Sequence, residues 1–193
     1  MFELLKKHVL KRIDLTKPEL ERLTAFFIPK RVRKHQFLLE TGDVSRHIAF
    51  VVKGCLRSYS IDEAGEEHIA QFAIEDWWIG DLYSFFGEHP SANSIDALED
   101  SELLLLDRVS MEKLCLAVPK FERFFRLILQ ANYVASQRRI MQSLSATAEE
   151  RYLQFLKSYP AIFSRVPQKM IASYLGITPQ SLSRIRRHLS HKD

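Results

Sequence analysis

The segment from Gln168 to Arg187 contains the residues whose types and spacing are best suited to binding chemistry. Gly176 divides it into two short amphipathic stretches, and Thr178 and Pro179 begin the second stretch. Threonine caps helix N-termini through its hydroxyl, proline is tolerated at the first helical position, and glycine readily ends a helix in the left-handed conformation. The spacing therefore predicts a helix-turn-helix.

Leu182, Ile185 and Leu189 recur at spacings of three and four, so they form the buried face of the second predicted helix. Polar and cationic side chains then occupy the opposite face. Arginine and glutamine can form paired hydrogen bonds with guanine and adenine edges, and a helix N-terminus can face a phosphate. We predict a DNA-reading surface with these members: Thr178, Pro179, Gln180, Ser181, Ser183, Arg184 and Arg187. His191 extends the same face, and Lys192 belongs to a basic tail that is expected to touch phosphates. The alternative is a solvated face on a purely structural helix.

The stretch from Arg31 to Asp107 has the pattern of an antiparallel β structure. Short apolar runs alternate with turns, and five of the six glycines of the chain lie between residues 42 and 87. The sequence Asp62–Gly65 is typical of a hairpin turn. Two amphipathic stretches precede this segment, and Thr16 is expected to cap the second. The pattern predicts an all-β segment preceded by two helices.

A helical pattern follows Asp107, and its longest element is predicted from about residue 121 to residue 144. Such a helix would be roughly 36 Å long, which is more than a small domain needs. One broad stripe is expected, formed by Phe121, Phe124, Phe125, Ile128, Ala131, Ala135 and Leu144. Because Ala131 and Ala135 are small, we predict a helix that packs on the β segment and also pairs closely with its two-fold mate. An ordinary core helix is the alternative.

These elements predict an α+β protein with an antiparallel β segment, a long dimerisation helix and a small helical DNA-binding domain. The expected domains are residues 1–144, which include the dimerisation helix at about 121–144, and residues 145–193. The net charge of +4 mildly favours a polyanionic partner. No apolar run approaches the roughly 20 residues of a membrane span, and the first residues lack the pattern of a signal peptide. A cytoplasmic location without membrane contact is therefore expected.

In this order of elements the chain resembles the Crp/Fnr family of bacterial transcription regulators over nearly its full length. The resemblance implies that the β segment is a jelly-roll-like sensor domain. The segment from Trp77 to Asp107 is similar to the region that holds the phosphate-binding cassette of that family. The resemblance implies that effector contacts come from Gly80, Asp81, Ser91 and Ala92. It also implies a homodimer that binds double-stranded DNA, with RNA polymerase and an unidentified small-molecule effector as further partners.

Two departures from the family pattern bear on the effector and on DNA binding. Members that bind cyclic AMP use a Gly-Glu pair for the ribose and an Arg-Ser pair for the cyclic phosphate, whereas this chain has Gly80–Asp81 and Ser91–Ala92. The guanidinium that would neutralise the phosphate is absent, so cyclic AMP is not expected to be the effector. Only six residues follow Arg187, and we expect the DNA-binding domain to lack the full β-hairpin wing.

No cofactor, metal site or catalytic residue is predicted. Oxygen-sensing members of the family hold an iron–sulfur cluster with about four thiolates, and this chain has only Cys55 and Cys115. Neither a nucleophile elbow nor a phosphate-binding loop of the Walker type is present, so we expect a regulator and not an enzyme. Two alternatives stay open. One is a module of the same fold that acts through protein partners, and the other is a constitutive DNA-binding regulator whose sensor binds no ligand.

Overall fold

A computed structural model describes residues 1–190 of the chain. These residues form nine helices and eight strands. The helices are α1 (Phe2–Leu10), α2 (Lys17–Thr24), α3 (Leu82–Gly87), α4 (Arg108–Ala117), α5 (Lys120–Ser145), α6 (Ala148–Ser158), α7 (Pro160–Phe163), α8 (Gln168–Leu175) and α9 (Pro179–Ser190). The strands are β1 (Ile28–Val32), β2 (Phe37–Leu39), β3 (His47–Lys53), β4 (Leu56–Ile61), β5 (Glu67–Ala73), β6 (Trp78–Ile79), β7 (Ser94–Ala97) and β8 (Ser101–Asp107). The predicted α+β class is confirmed.

The strands form two four-stranded antiparallel sheets, which together make a β-roll. The first sheet has the order β1-β8-β3-β6, and the second has the order β2-β7-β4-β5. Leu103 and Leu105 of β8 share a buried core with Leu56 of β4, so the two sheets pack on each other through their inner faces. The predicted turn Asp62–Gly65 joins β4 to β5, and Gly65 has a φ of +82°, which glycine adopts at little cost. The predicted antiparallel strands of this segment are therefore confirmed, with one short helix among them that the sequence did not predict.

The N-terminal helices and the first turns of α5 cover the outer face of the first sheet. Leu5 and Val9 of α1 pack in one buried cluster with Phe50 of β3 and Phe124 of α5. Thr16 is the N-cap of α2, as the sequence predicted. The long helix is thus anchored to the sensor at its N-terminal end.

Helix α5 has 26 residues and runs within one residue of its predicted bounds. Its first turns are buried, whereas every side chain from residue 130 to residue 141 is exposed. The rest of the described chain therefore does not bury this part of the helix, as its predicted length implied. Among the described helices, none combines the length and the apolar character required to cross a membrane.

Helices α6 to α9 form a helical unit around buried side chains such as Tyr152, Phe155, Ile171 and Leu182. The same core includes side chains on the outer face of the second sheet, among them Phe72 of β5. The helical unit is therefore in contact with the β-roll. The domain division near residue 145 stays a prediction.

The short helix α3 departs from the predicted all-β pattern of its segment. Asp81 caps it, because its carboxylate accepts a hydrogen bond from the Ser84 amide at 3.2 Å. Glu88 ends it in the left-handed conformation, with a φ of 54°. A helix of six residues is too short for its periodicity to stand out in the sequence, but it positions the predicted sensor residues.

Candidate nucleic-acid interface and sensor cassette

The turn between α8 and α9 has the geometry that the sequence predicted. Gly176 ends α8 with a φ of +65°, in the left-handed region. The amide of Ile177 bonds back to the carbonyl of Ala172 at 3.0 Å. Thr178 then caps α9, since its hydroxyl oxygen accepts a hydrogen bond from the Ser181 amide at 3.1 Å. The predicted helix-turn-helix is confirmed.

One face of α9 is buried and the other is open. Leu182 is 1% exposed, and Ile185 and Leu189 are partly buried in the same core. The seven residues predicted to read DNA line one shallow concavity on the outer surface. Ser181 differs from the others, because it is partly buried and its hydroxyl lies 3.0 Å from the Thr178 hydroxyl. Ser181 therefore contributes to the helix cap in addition to lining this surface.

Helix α9 contains cations and no carboxylate. Five of the predicted contacts are exposed on it: Pro179, Gln180, Ser183, Arg184 and Arg187. The helix N-terminus at Pro179 adds the partial positive charge of the helix dipole. B-DNA has one negative charge per about 1.7 Å of axis, so this face is complementary to it in charge. His191, predicted on the same face, and Lys192 of the predicted basic tail lie outside the described residues.

The predicted sensor residues come together at the N-terminus of α3, in the segment from Gly80 to Ala92, which we call the cassette. A Cβ atom at Gly80 would lie 3.1 Å from Ile48 Cγ2, so the backbone approaches β3 closely here. Ser91 is 2% exposed, and its hydroxyl donates a hydrogen bond to Asp81 Oδ2 at 2.6 Å. Ala92 is exposed. The fold thus joins Gly80, Asp81 and Ser91, and leaves Ala92 at the surface.

The polar groups of the cassette are already paired with one another. The Ser91 hydroxyl accepts a hydrogen bond from the Asn93 amide at 3.0 Å, and Asn93 Nδ2 lies 3.4 Å from Asp81 Oδ2. The Ser91 amide donates to the carbonyl of Asp43 at 2.8 Å. Each of these groups would have to leave its partner before it could bind a ligand, and an unpaired buried polar group is costly.

A buried cation on the second sheet was not predicted from the sequence. The Arg57 side chain on β4 is 8% exposed, and it bonds Asp96 Oδ1 at 2.7 Å and both carboxylate oxygens of Glu67. Burial opposes its charge, but the hydrogen bonds to the two carboxylates outweigh burial and raise the pKa of Arg57 above its ordinary value. The only signal in the sequence is an arginine inside an otherwise apolar and small-residue strand. Because both partners belong to this chain, the guanidinium is neutralised internally.

Arg139 is an exposed cation on α5. Its guanidinium donates to the carbonyl of Ala70 on β5 at 2.5 Å. The same guanidinium lies 4.9 Å from the ring centroid of Tyr174 on α8. Arg139 therefore links α5, the second sheet and the helical unit.

The cysteines do not fit an iron–sulfur cluster. Cys55 is fully buried, and burial raises the pKa of its thiol to about 12, which opposes thiolate ligation. Cys115 lies on α4 and is partly exposed. Within residues 1–190, no three His, Cys, Asp or Glu side chains group as metal ligands would. Two cysteines are also fewer than the roughly four thiolates that such a cluster requires.

The exposed half of α5 has two different faces. Ala131 lies seven residues after Phe124, and Ala135 lies seven residues after Ile128, so both alanines continue the stripe that packs on the β-roll. The exposed apolar side chains occupy other sides of the helix: Tyr133, Val134, Ile140, Met141 and Leu144. Both faces are exposed in the described part of the chain, and the face that pairs with a second copy stays a prediction.

Comparisons with known proteins agree with this architecture. Residues 29–117 match the cyclic nucleotide-binding domain family. The fumarate and nitrate reduction regulatory protein of Vibrio cholerae is 28% identical over 187 residues, which cover 89% of this chain and 72% of that protein. The structure of FixK2 from Bradyrhizobium japonicum has a TM-score of 0.71 at 21% identity, and covers 86% of this chain and 85% of that chain. The catabolite activator protein of Thermus thermophilus has a TM-score of 0.58 at 19% identity, with 92% of this chain and 85% of that chain covered.

A cyclic nucleotide-binding-type β-roll, a long helix and a helix-turn-helix together define a class of regulatory protein. The relatives found by sequence are regulatory proteins, and the solved structures share the fold. The chain thus contains a cyclic nucleotide-binding domain, is similar in sequence to bacterial regulatory proteins, and has the fold of solved regulators of the Crp/Fnr type.

Proposed function

We propose that the chain is a dimeric transcription regulator that reads DNA with α9. The observation that supports this most directly is the capped, cation-containing helix, whose seven predicted contacts line one exposed surface. Gln180 and Arg184 are the candidates for base contacts, because their side chains form paired hydrogen bonds with adenine and guanine edges. Arg187, one turn further from the N-terminus, is the candidate for phosphate contact. No step of this function requires a catalytic residue.

A second copy of the chain is the proposed partner of the exposed half of α5. Five large apolar side chains there are between 50% and 77% exposed, which is unusual for a helix that has no partner. Pairing two α5 helices would place two α9 helices on one side of a two-fold dimer. Recognition helices in successive major grooves lie about 34 Å apart, so the expected binding site is a near-palindrome.

We infer that cyclic AMP is not the effector of this regulator. The Asp81 carboxylate and the Ser91 hydroxyl are bonded to each other, and no arginine stands at the phosphate position of the cassette. A cyclic phosphate would bring a full negative charge beside Asp81 without a paired cation, which costs several kcal/mol. A less charged effector, or regulation without any effector, is compatible with the same contacts.

Selection of duplexes from a random-sequence pool by the wild-type protein tests the proposed function. The selected sequences should contain inverted half-sites whose centres are separated by about one helical turn. A variant with both Gln180→Ala and Arg184→Ala should lose preference for the selected duplex and keep its weak binding to unrelated duplexes. The matched control is Arg22→Ala, which removes an exposed cation from α2.

Two outcomes would contradict the proposal. The first is the absence of sequence enrichment by the wild type, combined with no binding to any duplex at low salt. The second is an equal loss of selected-duplex binding in the α9 variant and in Arg22→Ala, which would mean that only overall charge matters.

A further inference from the structure

The helical unit meets the outer face of the second sheet along a row of aromatic rings. Phe72 of β5 lies 5.5 Å from Tyr174 of α8, measured between ring centroids, and Tyr174 lies 5.5 Å from Phe155 of α6. The row continues from Phe155 to Tyr159 at 5.6 Å and ends at Trp77, a further 5.7 Å away. Aromatic pairs at such separations attract each other beyond the area they bury. We call this contact the joint.

Polar contacts fix the register of the joint. The Ser173 hydroxyl on α8 accepts a hydrogen bond from the Ile69 amide at 2.9 Å and donates one to the Glu67 carbonyl at 2.6 Å. Strand β5 is at the edge of its sheet, so these backbone groups face a side where no further strand lies. One helix residue therefore takes the place of a strand partner at this point and opposes sliding of α8 along β5.

Arg165 holds the helical unit to two turns of the β-roll. It lies on the link between α7 and α8, and it bonds Glu99 through Nε at 2.9 Å and through Nη2 at 2.6 Å. It also bonds Glu75 through Nη1 at 2.6 Å and through Nη2 at 3.2 Å. The hydrogen bonds from Arg165 lower the pKa of Glu99 below its ordinary value, so the pair is fully charged at neutral pH. Such two-oxygen contacts fix orientation as well as distance.

The turn that supplies Glu75 is itself anchored on its other side. Asp76, the next residue, bonds Nδ1 of His8 on α1 and Nζ of Lys11, which directly follows α1, each at 2.8 Å. Asp76 has a φ of 71°, a left-handed conformation that non-glycine residues seldom adopt, although aspartate adopts it more readily than most. The Asp76 amide also donates a hydrogen bond to the carbonyl of Val51 on β3 at 3.0 Å. The Glu75 carboxylate that binds Arg165 is therefore part of a turn fixed to the N-terminal helix and the first sheet.

The contacts of Arg165 with Glu75 and Glu99 lie close to the helices that are proposed to bind DNA. Arg165 lies three residues before α8, which supports α9 through the buried side chain of Leu182. Two α9 helices of a dimer must lie at a fixed spacing and angle to fit successive major grooves. The contacts at the joint leave the outer surface of α9 open, so docking orients this surface and does not cover it.

We propose that Arg165 is a positioning residue: through Glu75 and Glu99 it holds the helix-turn-helix in the orientation in which α9 reads a specific site. This inference rests on the proposed function. The inference goes beyond the proposed function because it assigns part of the sequence-specific binding to a residue outside the DNA-reading surface. Loss of the grip frees the helical unit to sample other orientations, so that only a fraction of dimers is competent for the specific site. The apparent affinity for that site falls by the same fraction.

The test uses the full chain with the substitution Trp78→Phe, which leaves Trp77 at the joint as the single tryptophan. In this background Arg165→Gln should shift the emission of Trp77 to the red, because a loosened joint admits water. The same substitution should weaken binding to the selected duplex on the order of tenfold. Binding to a random-sequence duplex should stay unchanged, because it depends on cations and not on the alignment of two helices.

The matched control is Arg108→Gln, which removes an arginine–glutamate pair between Arg108 and Glu88 that lies outside the helical unit. It should leave the Trp77 emission and both affinities unchanged. If Arg165→Gln does not fold, Glu99→Gln replaces one of the two carboxylates that bind Arg165 with an isosteric neutral side chain. It should shift the Trp77 emission and weaken selected-duplex binding in the same direction, by smaller amounts.

Three results would overturn the inference. These are an unchanged Trp77 emission and selected-duplex affinity, an equal loss of binding to both duplexes, or tighter binding to the selected duplex. Failure of the wild type to bind either duplex would instead reject the proposed function. The Trp77 emission would still show whether Arg165 holds the joint.

Discussion

The proposed dimer can be tested at Ile140, on the exposed half of α5. Ile140 lies seven residues after Tyr133 and four before Leu144, so these three apolar side chains share one face of the helix. The substitution Ile140→Glu replaces the central member of this face with a charge. By two-fold symmetry, the change occurs twice in each dimer.

The expected effect follows from the exposure of the side chain. Ile140 is 50% exposed, so half of its surface is available for burial by a partner. Full burial of an isoleucine contributes about 1.5–3 kcal/mol, so half-burial in two copies contributes about 1.5–3 kcal/mol to the dimer. The loss of this burial alone weakens dimerisation roughly tenfold to a hundredfold. Two carboxylates brought together near the axis add to the loss, because each is desolvated without a partner.

Sedimentation equilibrium over a range of protein concentrations measures the dimer dissociation constant. Wild type should be a dimer at micromolar concentration, and Ile140→Glu should dissociate in the same range and bind the selected duplex more weakly. Ala135→Glu is the matched control, because Ala135 is equally on the exposed half of α5 but continues the stripe that faces the β-roll. A monomeric wild type, or dimer constants changed equally by both substitutions, would refute this assignment of the pairing face.

Arg184→Ala should weaken binding to the selected duplex by about 1–3 kcal/mol and relax the base preference at one position, as measured with duplexes substituted at each position in turn. A uniform loss across all sequences would instead assign Arg184 to phosphate. Cyclic AMP should show no tight binding in titration calorimetry, because Asp81 and Ser91 are paired with each other; a dissociation constant in the low micromolar range or below would contradict this. Stability should fall as the pH drops below 6.5, because burial lowers the pKa of His8 in the folded protein and the unfolded chain therefore takes up the proton first. Chemical denaturation of the wild type and of His8→Gln across this pH range measures the contribution of His8 to the pH dependence of the free energy of unfolding. Identical pH dependence in the two proteins would show that His8 makes no such contribution.

The helix-turn-helix could be read from the sequence because its determinants are local. A glycine with a left-handed φ, a threonine cap and an apolar spacing of three and four residues act within a few positions of Gly176 and Thr178. The hairpin turn at Asp62–Gly65 and the bounds of α5 were predicted for the same reason. In each case neighbouring residues determine the backbone conformation, and the tertiary contacts are compatible with it.

The cassette shows an intermediate case. The family pattern located Gly80, Asp81 and Ser91, and the fold does bring them together. The sequence could not show that the Ser91 hydroxyl is bonded to Asp81, because that bond depends on how the chain between them turns around α3. A short helix of this kind has too few residues for a periodic signal.

For α5, the sequence determined the helix but not which side faces a partner. The apolar periodicity placed residues that are buried against the β-roll in one stripe with residues that are exposed. Only the tertiary structure shows where burial against the β-roll ends along the helix. It shows that Ile140 is exposed on one side, while Ala135 continues the side that faces the sheet.

The sequence by itself thus determined the order of the elements, the turn that builds the recognition helix and the residue types that α9 presents. Tertiary structure alone decided the contacts between residues far apart in the chain. Arg165 bonds Glu99, which is 66 positions away in the sequence, and Glu75, which is 90 positions away. Arg57 bonds Asp96, which is 39 positions away. The packing of whole sheets and helices determines which charged side chains become partners. The spacing of apolar residues in the sequence does not indicate which surfaces will be in contact. The orientation of the helix-turn-helix on the β-roll is for that reason a property of the fold and not of any local motif.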